Sequence, residues 1–145
     1  MICLDIYGIP TPQHRPRFSR VGDEVHCHSD QKKIKQSYQW QMKSQFRNKP
    51  IDGPVSIDLI FHMPIPKSIS GIKKKQMING IMHHMNRPDI DNLQKFILDC
   101  LNKIIICDDC QVVEIRAKKV YGERPGTYVK IIPMNQNRSL SDAAN

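Results

Sequence analysis

The stretch "NRPDIDNLQKFILDCLNKIIICDDCQVV", residues 86–113, contains a helix start, an apolar linker and a strand start. Pro88 disfavours helix in the residue before it, so the lead-in is extended. From Asp89–Asp91 to about Lys103 the apolar residues Leu93, Phe96, Ile97, Cys100, Leu101 and Ile104 recur at helical spacing, which predicts a helix with one wide buried stripe. "QVVEIRAKKVYG" then reads as a strand. The same stretch holds five aspartates between positions 89 and 109, in a chain that is otherwise basic.

Working outward, "GPVSIDLIFHMP" alternates Val55, Ile57, Leu59 and Phe61, the pattern of a half-buried strand. "ICLDIYGI", residues 2–9, reads as a first strand, and "EVHCH" as a short one. "PTPQHRPRFSR" carries two early prolines and then Arg15, Arg17 and Arg20, and reads as a stiff basic loop. In "SDQKKIKQSYQWQMKSQF" the residues Ile34, Tyr38, Met42 and Phe46 form a helical stripe, with Ser29 or Asp30 as the cap. Trp40 lies off that stripe; it either packs against a neighbouring loop or meets another subunit. "PIPKSISGIKKKQMINGIMHHMNRP", residues 64–88, reads as a basic insertion whose middle, about 70–79, is expected to form a short helix ended by Gly80. "TYVKIIP" follows "ERPG" and is expected to pair with the preceding strand as a hairpin. The predicted fold class is α+β (mixed α/β): one small domain over residues 1–133, with a mixed sheet packed by two main helices, and a polar tail at 134–145 that is expected to be disordered.

Composition narrows the functional classes. The chain has 145 residues, 39% hydrophobic and 25% charged, which are globular values for one domain. No run of 18 apolar residues occurs, which argues against a membrane span. Five cysteines, an odd number, without a basic and apolar leader point to a reducing cytoplasm. The net charge of +8 favours a polyanionic partner, nucleic acid before an anionic membrane. Lys73, Lys74 and Lys75 are either a solvated face or a DNA contact.

The acids need a separate explanation. Two residues apart on a continuous helix, Asp89 and Asp91 would point about 200° apart. With Asp89 in the extended lead-in and Asp91 in the first turn, their carboxylates can converge. Asp91, Lys95 and Asp99 follow one helix face, largely distinct from the apolar stripe. Asp108 and Asp109 sit on a turn entering the next strand, which can bring an aspartate back to the helix start if that strand packs beside the helix. Converging carboxylates make a hard-oxygen site suited to Mg²⁺ with phosphate oxygens as further ligands, and a nearby lysine stabilises charge on the phosphate. Simpler roles are a helix cap at Asp89 and a turn at Asp108–Asp109.

"RPDIDNLQKFILDCL" followed by "DDCQVVEIRAKKVYG" resembles the RusA family of Holliday-junction resolvases. The matching pattern is D-x-D-N-L-x-K, a helical aspartate, then D-D-x-Q-V-V, here Asp89, Asp91, Asn92, Leu93, Lys95, Asp99, Asp108, Asp109, Gln111, Val112 and Val113. "PTPQHRPRFSR" is similar to the family's P-x-x-x-R-P-R segment. The resemblance implies a small homodimeric, Mg²⁺-dependent endonuclease with a mixed α/β fold, with Mn²⁺ able to substitute, acting on branched DNA such as a four-way junction. It places metal carboxylates at Asp89, Asp91 and Asp109, with Asp108 the alternative of the pair, and a catalytic lysine at Lys95. The basic remainder, with Arg15, Arg17, Lys73, Lys74, Lys75 and Arg87, is then the DNA-binding surface.

Other chemistries fit less well. An EF-hand counted from Asp89 has Gln94 where glycine is needed and Cys100 where glutamate is needed. A zinc site from Cys100, Cys107 and Cys110 with His83 or His84 conflicts with Cys100 lying on the apolar stripe. His26, Cys27 and His28 read as strand polarity rather than ligands. His83 and His84 are bystanders or phosphate contacts. A non-catalytic DNA-binding module, or a nuclease preferring flaps or forks, is the functional alternative.

Overall fold

The computed structural model describes residues 1–15, 17–22, 24–28 and 31–135, with the side chains of 17–21 and 24–28 outside that description. The elements are β1 (Ile2–Tyr7), β2 (Arg17–Val21), β3 (Glu24–His28), α1 (Lys32–Gln45), β4 (Val55–Pro64), α2 (Ile72–Ile78), α3 (Ile90–Leu101), β5 (Val112–Gly122) and β6 (Gly126–Pro133). A 3-10 turn, Asp109–Gln111, leads into β5. The class is α+β, as expected.

The main sheet runs β1-β6-β4-β5. β4 pairs parallel with β5 and antiparallel with β6, and β6 pairs antiparallel with β1. This corrects the expected β5–β6 hairpin. Residues 123–125 instead carry the chain over β4, so β6 adds on its far side. Three extended residues reach about 10 Å, enough to cross two strand spacings. β4 has the most regular apolar alternation, and it is flanked on both sides from Val55 to His62. The parallel β4–β5 pair needs a long crossover, and the segment through α3 supplies it.

One face of the sheet carries the core. Leu4, Ile6, Val55, Ile57, Leu59, Phe61, Val129 and Ile131 meet Tyr38 and Met42 of α1 and Leu93, Phe96, Ile97, Cys100 and Leu101 of α3. Tyr38 and Phe96 join the two helices edge to face at 5.2 Å. The stripe of α1 is shorter than the sequence suggested: Ile34 is exposed, and Trp40, off the stripe, is 72% exposed. α3 ends at Leu101, two residues early, because Lys103 turns to φ 67°. The following isoleucines remain inside, with Ile105 and Ile106 fully buried.

The "PTPQHRPRFSR" segment is not all loop, since Arg17–Val21 pairs with Glu24–His28 as a two-stranded ribbon. Ser29 and Asp30 lie outside the described residues, and the N-cap position of α1 is Gln31. Gln31 does not cap. Its buried amide accepts from His14 N at 2.9 Å and donates to Pro12 O at 2.6 Å, which fastens the 12–14 loop to the helix. Farther along α1, Gln41 and Gln45 do what a neighbouring strand would do. Each exchanges two hydrogen bonds with the free edge of β1, Gln41 with Tyr7 and Gln45 with Asp5. That edge is thereby occupied, whereas β5 is the opposite end of the sheet.

Candidate active site

Asp89 occupies the N-cap position of α3 with extended dihedrals, φ −68° and ψ 142°, as the acid spacing required. Its side chain makes no capping hydrogen bond, so the simple cap reading does not account for it. Asp91 follows in the first turn and Lys95 one turn later; all three are exposed. The sequence thus separates α3 into a buried stripe and an open polar face, and the acids and the lysine lie on the open one.

The 12–14 loop forms the opposite wall. Gln13 N donates to Asn92 O at 2.9 Å, joining the loop to the start of α3. Pro12, Gln13, His14, Arg87, Pro88, Asp89 and Asn92 together line a cleft of about 390 Å³. Arg15 follows directly after that loop and is exposed. Arg87 lines the cleft, and Lys73, Lys74 and Lys75 are exposed on α2. The Arg17 side chain lies outside the described residues.

Asp108 and Asp109 divide their duties. Asp108 accepts from Cys110 N at 3.0 Å, and its own N–H donates to Gln111 Oε1 at 2.8 Å, a capping box on the 3-10 turn. Gln111 also donates to Ile51 O at 2.9 Å and Gly53 O at 2.8 Å, holding the turn against the entry to β4. The backbone bond from Cys110 draws the Asp108 carboxyl below its ordinary value, helped by a side-chain bond with Asp109. That same bond raises Asp109, and the charge of Asp99 adds to the rise. Asp109, which caps nothing, is the carboxylate of the pair left for other work.

The turn packs against α3, and the buried Ile105–Ile106 linker, bonded back to Leu101 O, holds the chain beside the end of that helix before the turn begins. Among the described residues no three His, Cys, Asp or Glu side chains stand together as a metal-holding group. Asp99 itself is engaged with Lys35 of α1 at 2.9 Å.

A divalent cation still fits the donor set. Mg²⁺ is commonly held by one or two carboxylates, with waters and substrate phosphates as the other ligands. Asp89, uncapped, and Asp91 supply hard oxygens on a shared open surface. Zinc fits poorly: Cys100 is fully buried, and burial with the neighbouring Asp99 charge pushes its thiol up to about 12, far from a thiolate ligand. His83 is exposed. His84 packs edge-on against Tyr121 at 5.1 Å, and burial followed by the Lys119 charge lowers its pKa, so a neutral packed ring describes it better than a phosphate contact.

Residues 8–132 match the family described as endodeoxyribonuclease RusA. The chain belongs to the RusA family. It is also 39% identical over 134 residues to the uncharacterized protein YqaN of Bacillus subtilis (strain 168), covering 90% of this chain and 94% of that one. The family is one of endodeoxyribonucleases, and the matched span takes in every acid of the candidate site. Among the described residues no helix is long and apolar enough to cross a membrane.

Three residues of this site escaped sequence reasoning in their actual roles: Gln31, Gln111 and Lys119. Gln111 had a readable signal, since Asp108-x-x-Gln111 is a capping-box pattern. Gln31 and Lys119 act on segments far away in sequence, and nothing local announces that.

Proposed function

We propose that this protein is a Mg²⁺-dependent, structure-specific endonuclease that resolves four-way DNA junctions by paired symmetric nicks. The observation that supports it best is the pair Asp89 and Asp91, free of capping duty, in and beside a cleft whose other wall belongs to the basic loop. Asp89 and Asp91 hold the ion, with Asp109 the favoured third carboxylate because Asp108 serves the turn. Bound there, the ion supplies charge neutralisation on the scissile phosphate and a more acidic water. Lys95, one helical turn beyond Asp91, donates to the phosphate as charge builds on it. Arg15, Arg17, Arg87 and Lys73–Lys75 hold the backbone of the DNA, as a chain of net charge +8 can do through many phosphate contacts.

The working unit is residues 1–133, in the cytoplasm, as a homodimer that sets two identical sites on one junction. Two surfaces suit self-association: the end strand β5, given that the β1 edge is taken by Gln41 and Gln45, and the exposed Trp40. The deciding experiment is cleavage of a mobile four-way junction beside linear duplex, with and without Mg²⁺. Junction cleavage that needs the ion supports the reading. Binding without any cleavage makes the chain a DNA-binding module, and preferential cutting of flaps or forks reassigns the substrate.

A further inference from the structure

The segment between α2 and Asp89 has no helix or strand of its own, yet it must present Asp89 correctly. Residues of β5 hold it. Lys119 Nζ donates to Asn86 O at 2.9 Å and to Pro88 O at 3.0 Å. Two residues on, Tyr121 meets the ring of His84. Lys119 sits opposite Phe61 in the parallel register, and shares its side of the strand with Ile115 and Ala117, which pack on the core. Its neighbour Lys118 is exposed and alternates to the other face. The Asp89 side chain makes no capping hydrogen bond at the start of α3, so where it stands depends on the backbone that carries it.

We propose that Lys119 is a positioning residue for the candidate metal site: its ammonium group ties the Asn86 and Pro88 carbonyls to the sheet and so fixes where Asp89 and the first turn of α3 stand. This rests on reading Asp89 and Asp91 as metal carboxylates. An ammonium group has three donors, so it satisfies two carbonyls from one point. Hydrogen bonds from a charged donor are about twice as strong as neutral ones. Both acceptors lie within three residues of Asp89, and the clamp acts on main chain, so it orients the ligand without competing for its oxygens. Lys95, exposed on α3, is placed to act on phosphate; Lys119 acts on the scaffold that holds the acids.

The test compares wild type with Lys119→Met, which keeps the apolar stem and removes the donors, Lys119→Arg, which keeps charge and donors, and Lys118→Met as a control on the opposite face. Mn²⁺ binding to the DNA-free protein is titrated by electron paramagnetic resonance, hydrogen exchange is followed over residues 86–92, and single-turnover cleavage is measured at saturating junction. Removing a group that orients metal ligands costs roughly 10–100-fold in metal affinity or activity. Lys119→Met is expected to weaken Mn²⁺ binding within that range, to speed exchange over 86–92, and to slow cleavage while junction affinity without divalent ion stays within twofold. Lys119→Arg recovers most of the loss, and Lys118→Met behaves as wild type. If Lys119→Met also lowers the melting temperature, recovery by arginine at equal melting temperature carries the same conclusion. Wild type that binds Mn²⁺ while Lys119→Met binds it equally well overturns the clamp alone. Wild type that binds no Mn²⁺ overturns the metal reading, and the clamp with it.

Discussion

Asp108 and Asp109 are adjacent exposed carboxyls drawn in opposite directions, Asp108 below and Asp109 above the ordinary aspartate value. The split follows from their partners. Asp108 receives a backbone N–H from Cys110, which favours its charged form; Asp109 faces the resulting anion, which disfavours a second charge. Carboxyl-carbon NMR of the metal-free protein should show the pair losing its first proton mainly from Asp108 and its second mainly from Asp109. In Asp108→Asn the Asp109 titration should move down toward the ordinary value. An Asp109 titration that does not move would show that the two carboxyls do not interact in solution. The linkage signs oppose each other. A lowered carboxyl adds stability above its unfolded pKa that is lost as pH falls, and a raised one does the reverse, so the exposed pair should leave little net pH dependence of folding.

Asp89→Asn and Asp91→Asn should each fold and bind junction DNA as wild type does, since removing acid does not weaken attraction to phosphate. Cleavage should fall by more than the roughly 10–100-fold that loss of a merely orienting group costs. Lys95→Ala should lose about 10²–10³-fold in turnover, the usual effect of removing one donor to a developing anion, with little change in affinity. Parallel loss of affinity and turnover in Lys95→Ala would make that side chain an ordinary DNA contact.

Gln111→Ala should destabilise the fold by roughly 1–3 kcal/mol, measured by denaturant unfolding. The amide serves three backbone groups, Ile51 O, Gly53 O and Asp108 N, and its loss leaves the two part-buried carbonyls without this partner. Gln111→Glu is informative beside it: the carboxylate still accepts from Asp108 N but cannot donate to the two carbonyls, so most of the loss should persist. A Gln111→Ala protein as stable as wild type would mean that water replaces the amide without cost.

Replacing Lys73, Lys74 and Lys75 together, and Arg15 separately, should weaken binding to all DNA and flatten the dependence of log affinity on log salt. The slope should fall by about one for each phosphate that a removed cation had neutralised. These side chains are exposed, so folding should be unaffected. An unchanged slope in either variant would place that group on a surface facing away from DNA.

Local periodicity carried much of the architecture. The apolar stripe of α3 and the alternation of β4 both report which face is buried, and both were readable residue by residue. Strand order was not, because the choice between a β5–β6 hairpin and a passage over β4 depends on which arrangement buries β4, a property of the whole sheet. Arg17–Arg20 read as loop since its charge concealed a ribbon whose partner, Glu24–His28, begins only a few residues later. The acids were legible as a cluster, but not that Asp108 serves the capping box of its turn while Asp89 makes no capping bond, since that depends on how the turn and the start of α3 are built.

The last prediction concerns assembly. Resolving a four-way junction into ligatable products takes two cuts placed symmetrically, and the acidic pattern occurs once per chain. A two-fold homodimer supplies two sites, and closed two-fold pairs are the commonest assemblies of soluble proteins. Sedimentation at micromolar concentration should give a mass near twice 16.8 kDa. Trp40→Ala tests one of the two candidate surfaces, and dissociation by that change alone would place the contact on α1 rather than on the β5 end of the sheet. Wild type mixed with excess Asp91→Asn should form mixed dimers with one competent site each. Those dimers should nick one strand of the junction and leave it unresolved, visible as nicked product on a denaturing gel with the junction intact on a native one. Paired cuts made by the mixed dimers, or a protein that stays monomeric both free and on the junction, would show that one chain resolves the junction without a partner.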